Sequence, residues 1–255
     1  MKTLGIDLAA QPKNTAACLI EWRRGAAEVA TLASDWTDDD LLAAADGCAK
    51  VGIDSPFGWP DEFVDALVAH HRGEAAWPGR DESSPAEQDA FRRRLRFRAT
   101  DRFCHERGLR PLSVSTDRIG VTAMRCAQLL ARLDAAGKRV SRDGSGLAVE
   151  VYPAGALSQW GLPFAGYKRG AGRDTLKSLT RSLLAKLPDL RLTPERRAAC
   201  ETSDHCLDAL VCALVARATA LGLTLSPRTD EERERAPREG WIHLPAEGSL
   251  AELGG

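Results

Sequence analysis

Residues 49–60 read AKVGIDSPFGWP. A short apolar run closes on Asp54 and passes at once into Ser55-Pro56 and the turn-forming Phe57-Gly58-Trp59-Pro60. The N-terminus repeats the device, since MKTLGIDLAA (1–10) carries an apolar segment into Asp7. A carboxylate in apolar surroundings is costly unless something neutralises it. In α/β sheets, ligand sites form just beyond the strand ends. Two Gly-Ile-Asp triplets, each closing a strand-like run, therefore point to a charged pocket at the ends of two strands. For either aspartate alone, the competing role is a strand-end turn residue that caps a backbone N–H.

Between the triplets, TAACLIEW (15–22) and AAEVATLAS (26–34) read as two more strands, with a hairpin turn at Gly25. TDDDLLAAADGC (37–48) reads as a helix, with Thr37 as N-cap, acids in the first turn and Gly47 near its end. AKVGID is then a fourth strand reached by a crossover. A three-strand antiparallel meander followed by a helix and parallel strands gives an α/β fold with a mixed sheet flanked by helices.

Beyond Pro60 the pattern is less regular. DEFVDALVAHHRG (61–73) reads as a helix, 72–90 as a polar loop or insertion, and AFRRRLRFRATDRFCHERG (90–108) as basic and partly helical. IGVTAMRCAQLLARLDAAG (119–137) is an amphipathic helix. GLAVEVYPA (146–154) is a fifth strand, apolar around Glu150. Helices are expected over 173–187 and 194–222, a charge run over 229–240, and a final edge strand in GWIHLP (240–245). There is no internal repeat. The expected organisation is one domain over 1–255 with a helical insertion around 60–145.

At 255 residues, with 44% apolar and 28% charged residues, the chain has an ordinary globular composition. A formal net charge of −1 gives no global sign of nucleic-acid binding, which leaves local patches. No stretch has the apolar length of a membrane span. The first residues lack a long apolar leader, so a cytoplasmic location is expected. Seven scattered cysteines without a Cys-x-x-Cys pair read as reduced thiols, not a zinc or disulfide framework.

The helical stretch ETSDHCLDALVCALVARATALG (201–222) adds acids. Asp204 and Asp208 lie four residues apart on one face, with His205 near it. Asp204 also suits the dipole at a helix start, whereas Asp208 lies deeper, at the head of an apolar run. Asp7, Asp54, Glu150, Asp204 and Asp208 thus form a candidate set of hard oxygen ligands, which suits Mg²⁺ or Mn²⁺ and not Zn²⁺. Two such ions about 4 Å apart support phosphodiester hydrolysis. His205 would then orient or deprotonate the attacking water. The candidate catalytic set is Asp7, Asp54, Glu150, His205 and Asp208.

GIDLA, GIDSPFGWP, RATD (98–101), PLSVSTDRIGVTAMR (111–125), VEVYPA and SDHCLDALVCALVARA span most of the chain. On these stretches it resembles the family called domain of unknown function four-two-nine, whose members are predicted RNase H-like nucleases. DHCLDAL is similar to the closing motif of the Holliday-junction-resolvase branch of that superfamily. The resemblance implies an RNase H-like sheet and a metal-dependent nuclease acting on DNA or RNA. RFRATD and STDRIG depart from the ordinary RNase H pattern. They bring Arg98, Thr100, Asp101, Asp117 and Arg118 toward a site, where the arginines either bind phosphate or neutralise the strand-end acids.

Basic residues offer further substrate contacts. FRRRLRFR (91–98) is either a phosphate-tracking patch or a solvated helix face. YKRGAGR (167–173) places Lys168 and Arg169 in a Gly-rich loop without P-loop spacing. Arg98, Asp101, Arg118, Lys168 and Arg169 are the candidate substrate-binding residues. Trp59 and Trp160 either stack on bases or pack in the core. A non-catalytic RNase H-like module that binds nucleic acid or a protein is the alternative function. ATP-dependent phosphotransfer fits poorly, because Leu-Ala-Ala-Gln-Pro follows Asp7 where a Gly-rich phosphate loop is needed.

Overall fold

A computed structural model describes residues 1–74, 84–168 and 173–254. The first three strands are β1 (Lys2–Asp7), β2 (Ala16–Arg23) and β3 (Ala26–Ser34), an antiparallel meander closed by Gly25 at φ +68°. Helix α1 (Asp38–Ala45) starts in a reciprocal capping box between Thr37 and Asp40 and leads to β4 (Lys50–Asp54), which runs parallel to β1. β5 (Ala148–Glu150) and β6 (Leu190–Arg191) complete a six-strand sheet among the described residues, in the order β5-β4-β1-β2-β3-β6. The expected mixed sheet, an antiparallel meander plus parallel strands flanked by helices, is the fold observed.

Helices α2 (Asp61–His71), α3 (Pro85–Arg96), α4 (Ala99–His105) and α5 (Gly120–Ala135) fill the stretch between β4 and β5. The second half carries α6 (Pro153–Gln159), α7 (Arg173–Ala185), α8 (Pro194–Thr202), α9 (Asp204–Ala220) and α10 (Asp230–Glu239). No helix among the described residues is long and apolar enough to cross a membrane.

Several local readings change. The polar stretch expected as loop up to residue 90 turns helical at Pro85. Ser84 caps α3 there and Glu87 returns the bond, an arrangement that favours a helix start whatever the polarity. The 229–240 charge run is α10, started by the same device between Thr229 and Glu232. The helix expected over 194–222 is two helices broken at Ser203, whose side chain caps α9 by accepting from the Cys206 amide. The fifth strand is three residues long, because Pro153 opens α6. GWIHLP is not a strand of the sheet; it makes isolated bridges, Ile242 to Glu150 and Pro245 to Thr224.

The sheet sorts its side chains by parity. Leu4, Ile6, Val51 and Ile53 face a core shared with Leu41 of α1 and Leu129, Leu130 and Leu133 of α5. On the other side, Cys18 and Ile20 pack in the core that contains α9. That helix is buried without interruption from Cys206 to Ala218 and runs across β1, β4 and β2. It is apolar nearly all round, as a central helix must be.

Candidate acidic centre

The Gly-Ile-Asp triplets have a geometric meaning. β1 and β4 pair in parallel register, with Gly5 opposite Gly52 and Asp7 opposite Asp54. Residues two apart on a strand share a face. The glycines therefore lie on the same side as the aspartates, and that is the side α9 covers. A Cβ on Gly5 would stand 2.1 Å from the Ala209 carbonyl oxygen, and one on Gly52 would stand 2.3 Å from that of Cys212. Only glycine lets α9 settle directly on the strands. The close approach carries Asp208, one residue before Ala209, to the two strand-end carboxylates.

One oxygen from each of Asp7, Asp54 and Asp208 lies within 4.8 Å of the others. Asp7 and Asp208 are buried and Asp54 is partly so. Around them stand three polar neighbours. His205 Nδ1 is 2.6 Å from Asp7 Oδ2. The Tyr167 hydroxyl donates to Asp208 Oδ1 at 2.7 Å, and the Lys168 ammonium is 2.6 Å from Asp208 Oδ2. His205 and Lys168 are each half-exposed.

The electrostatics follow from this crowding. Burial is the main force raising the Asp54 carboxyl well above its ordinary range; Lys168 opposes it, while Asp7 and Asp208 add to it. Asp208 is pushed up to about 6, chiefly by burial, with Lys168 pulling down and Asp7 pushing up. His205 is raised, first by its hydrogen bond to Asp7. Burial works against the Lys168 charge, yet Asp208 and Asp54 hold its pKa above the usual lysine value. Among the described residues, three acids share one lysine and one histidine, so the centre they form is short of positive charge.

Glu150 is not in this group, which corrects its place among the candidate ligands. It pairs with Ile53 in the β4–β5 register, so it leaves the sheet on the face opposite Asp54. There Arg98 Nη2 reaches Glu150 Oε1 at 2.7 Å and Arg98 Nη1 reaches Oε2 at 2.9 Å. The Phe57 amide donates to the same Oε2. Arg98 also bonds both oxygens of Asp101 and the Glu239 carbonyl. All five of its N–H donors are thus spent inside the protein, and Arg98 and Asp101 are fully buried structural partners instead of substrate contacts.

The remaining candidates separate as well. Asp204 sits in the first turn of α9, where its side chain accepts from the His205 amide, outside the carboxylate group. Arg118 is exposed on the segment before α5. Arg169 lies outside the described residues. Most of the arginines of 91–98 lie on the exposed face of α3, with Arg94 near Glu62. Trp160 is core, its indole donating to Ser249.

Sequence reasoning put Tyr167 in a basic loop near the acids but missed its bond to Asp208, and it missed the role of Gly5 and Gly52. It also missed Arg125, whose guanidinium donates to the Ala9 carbonyl and Thr15 hydroxyl and so pins the turn after Asp7. For the glycines the signal was present, as Gly two residues before Asp in both triplets. Nothing local marks the bond of Tyr167 or the role of Arg125.

A family model described as "Protein of unknown function (DUF429)" matches residues 5–233, most of the chain and all three clustered aspartates. No curated protein and no solved structure matches the chain.

Proposed function

We propose that this chain, which belongs to the DUF429 family, is a divalent-metal-dependent hydrolase of phosphodiester bonds in nucleic acid, with Mg²⁺ or Mn²⁺ held by Asp7, Asp54 and Asp208. One observation carries the reading: three carboxylates from two strands and a helix converge within 4.8 Å in a largely buried pocket. Oxygens around an octahedral Mg²⁺ ion would lie about 3 Å apart when adjacent and about 4 Å when opposed, so side-chain rotation that closes the group by at most about 2 Å would let the three hold one. The donors are all hard oxygens, which favours Mg²⁺ or Mn²⁺ over softer ions. The deficit of positive charge points the same way.

A bound ion would polarise the phosphodiester and acidify a water. The chain's own residues supply the rest. His205 on Asp7 is exposed enough to meet a water and is oriented by that carboxylate to take its proton. Lys168 can turn from Asp208 to a substrate phosphate when a divalent ion takes over the acids. Tyr167 holds Asp208 in place.

Mn²⁺ titration by calorimetry, with cleavage of labelled single-stranded, duplex and branched DNA and RNA, tests this. Saturable Mn²⁺ binding is expected, together with cleavage that falls about 100-fold or more in Asp7→Asn. Cleavage indifferent to Asp7→Asn, or the absence of both binding and cleavage, overturns it. The latter result favours a non-catalytic binding module.

A further inference from the structure

Beside the acidic centre lies a cavity of about 220 Å³. Asp54 and Lys168 form the part of its wall shared with the centre. Elsewhere the wall is mostly apolar, with Pro56, Pro111, Leu112 and Ile119, and one aromatic ring, the half-buried Tyr152. Two hydroxyl residues interrupt it, Ser55 and Thr122. The Ser55 hydroxyl is itself buried, with the thiol of Cys126 as its polar neighbour, so this residue borders the cavity through its other atoms.

We propose that this cavity receives a single unstacked nucleobase, with the adjoining phosphodiester lying over Asp54 and Lys168. The inference rests on the hydrolase reading and deepens it to a single-stranded or locally opened substrate. Size is the first argument. Pockets for drug-sized ligands run to roughly 300–1,000 Å³, so 220 Å³ suits one base and excludes a base pair. Surface chemistry is the second. Unpaired bases are bound by stacking on aromatic and flat apolar surfaces and by hydrogen bonds to their edges. Tyr152, Pro111 and Leu112 supply the former, and the half-buried Thr122 the latter. Continuity is the third. One wall belongs to the carboxylate centre, so base and phosphate of one nucleotide are accommodated together. Arg98 and Glu150 also line the cavity but are spent on each other.

The test is calorimetric titration, with Mn²⁺ present, of the common nucleoside 5′-monophosphates and of ribose 5-phosphate. At least one monophosphate is expected to bind about 10-fold tighter than ribose 5-phosphate, within the range a stacked base contributes. Leu112 is 55% exposed, so Leu112→Trp should fold while filling the mouth, and it should erase that preference. Thr122→Val should weaken the preferred monophosphate about 3-fold to 10-fold, because it removes the hydroxyl offered to the base edge while keeping the side-chain shape. Equal binding of ribose 5-phosphate and every monophosphate overturns the proposal, as does a preference that survives Leu112→Trp. Titration of Mn²⁺ alone separates the two readings. Mn²⁺ binding without base preference leaves the acidic centre and removes the base pocket. Base preference without Mn²⁺ binding does the reverse.

Discussion

Two groups of buried carboxylates occupy neighbouring strand ends, and they differ in how their charge is met. In the first, Glu150, Asp101 and Glu239 accept from donors at every oxygen. Arg98 serves Glu150 and Asp101, while Arg235 and the amides of Asp61 and Ala99 serve Glu239. In the second, Asp7, Asp54 and Asp208 face one another, with one lysine, one histidine and one tyrosine among the described residues around them. A buried ion pair with its hydrogen bonds complete fixes structure. A buried acid cluster lacking cations is unfavourable on its own, and such strain collects at functional sites. The contrast separates a joint that ties β5, α4 and α10 together from the centre proposed above as a metal site.

The sharpest way to break the comparison is to remove the guanidinium. Arg98→Ala leaves Glu150 and Asp101 buried without their cation, and about 3–5 kcal/mol of folding stability should be lost. Urea denaturation measures it. A loss of under about 1 kcal/mol would mean that the first group, too, is tolerant of uncompensated charge.

A buried histidine beside the first group gives the fold a separate response to acid. On the structural side, His243 donates its amide to the Glu150 carbonyl. Its ring fits the neutral form, with Nε2 3.0 Å from the Asp143 carbonyl and Nδ1 3.1 Å from the Thr224 hydroxyl. Burial pulls its pKa down to about 4, helped by the Lys50 charge and opposed by Asp143. The folded value lies below the unfolded one, so the unfolded chain takes up the proton first. Stability should therefore fall as pH drops from about 6.5 to 4, by up to about 3 kcal/mol at 1.36 kcal/mol per pH unit. Denaturation midpoints at a series of pH values report it, and His243→Gln should flatten the slope. An unchanged slope in that variant would assign the acid sensitivity elsewhere.

How much of this contrast is legible in the sequence depends on register. Asp7 and Asp54 announce themselves, because each closes an apolar run and each has glycine two places before. Glu150 looks the same locally, yet it pairs with Ile53 and not with Asp54. A shift of one position puts it on the other face, and no local pattern reveals that shift. The central sheet was readable from alternation and turns. The first turns of α3 and the whole of α10 were hidden by their polarity, although Ser84-x-x-Glu87 and Thr229-x-x-Glu232 mark both starts. α6 was hidden because Tyr152-Pro153 continues a strand-like run. β6, two residues long, carries no periodicity to detect.

The glycines offer a more graded perturbation of the acidic side. Gly5→Ala sets a methyl group 2.1 Å from the α9 backbone, so the helix must lift. Overpacking of this kind costs about 1–3 kcal/mol. Since Asp208 rides on that helix, Mn²⁺ affinity should fall as well, although no ligand is touched. Gly25→Ala, in the β2–β3 turn away from α9, provides the control: it strains a positive φ but should leave Mn²⁺ affinity unchanged. Equal Mn²⁺ binding in Gly5→Ala and the wild-type chain would show that helix seating does not set the site.

The smallest expected effect separates the groups most clearly, because its sign is reversed. Asp54→Asn removes one of three facing carboxylates while keeping shape and volume. In EDTA near pH 7.5 the variant should be more stable than the wild type by about 1 kcal/mol, the opposite of what Arg98→Ala does. The gain has a definite pH dependence. The Asp54 carboxyl is raised in the fold, so its ionisation costs folding free energy at neutral and alkaline pH. As pH falls toward the ordinary carboxylate range both states become protonated, and the difference from Asn should vanish. Added Mn²⁺ should reverse the order, because only the wild type has the full ligand set to be stabilised by binding. Melting curves of the two proteins, with EDTA and with Mn²⁺, give all four values. If Asp54→Asn is destabilising without metal, the acids are already balanced by their neighbours, and the second group is a structural joint like the first.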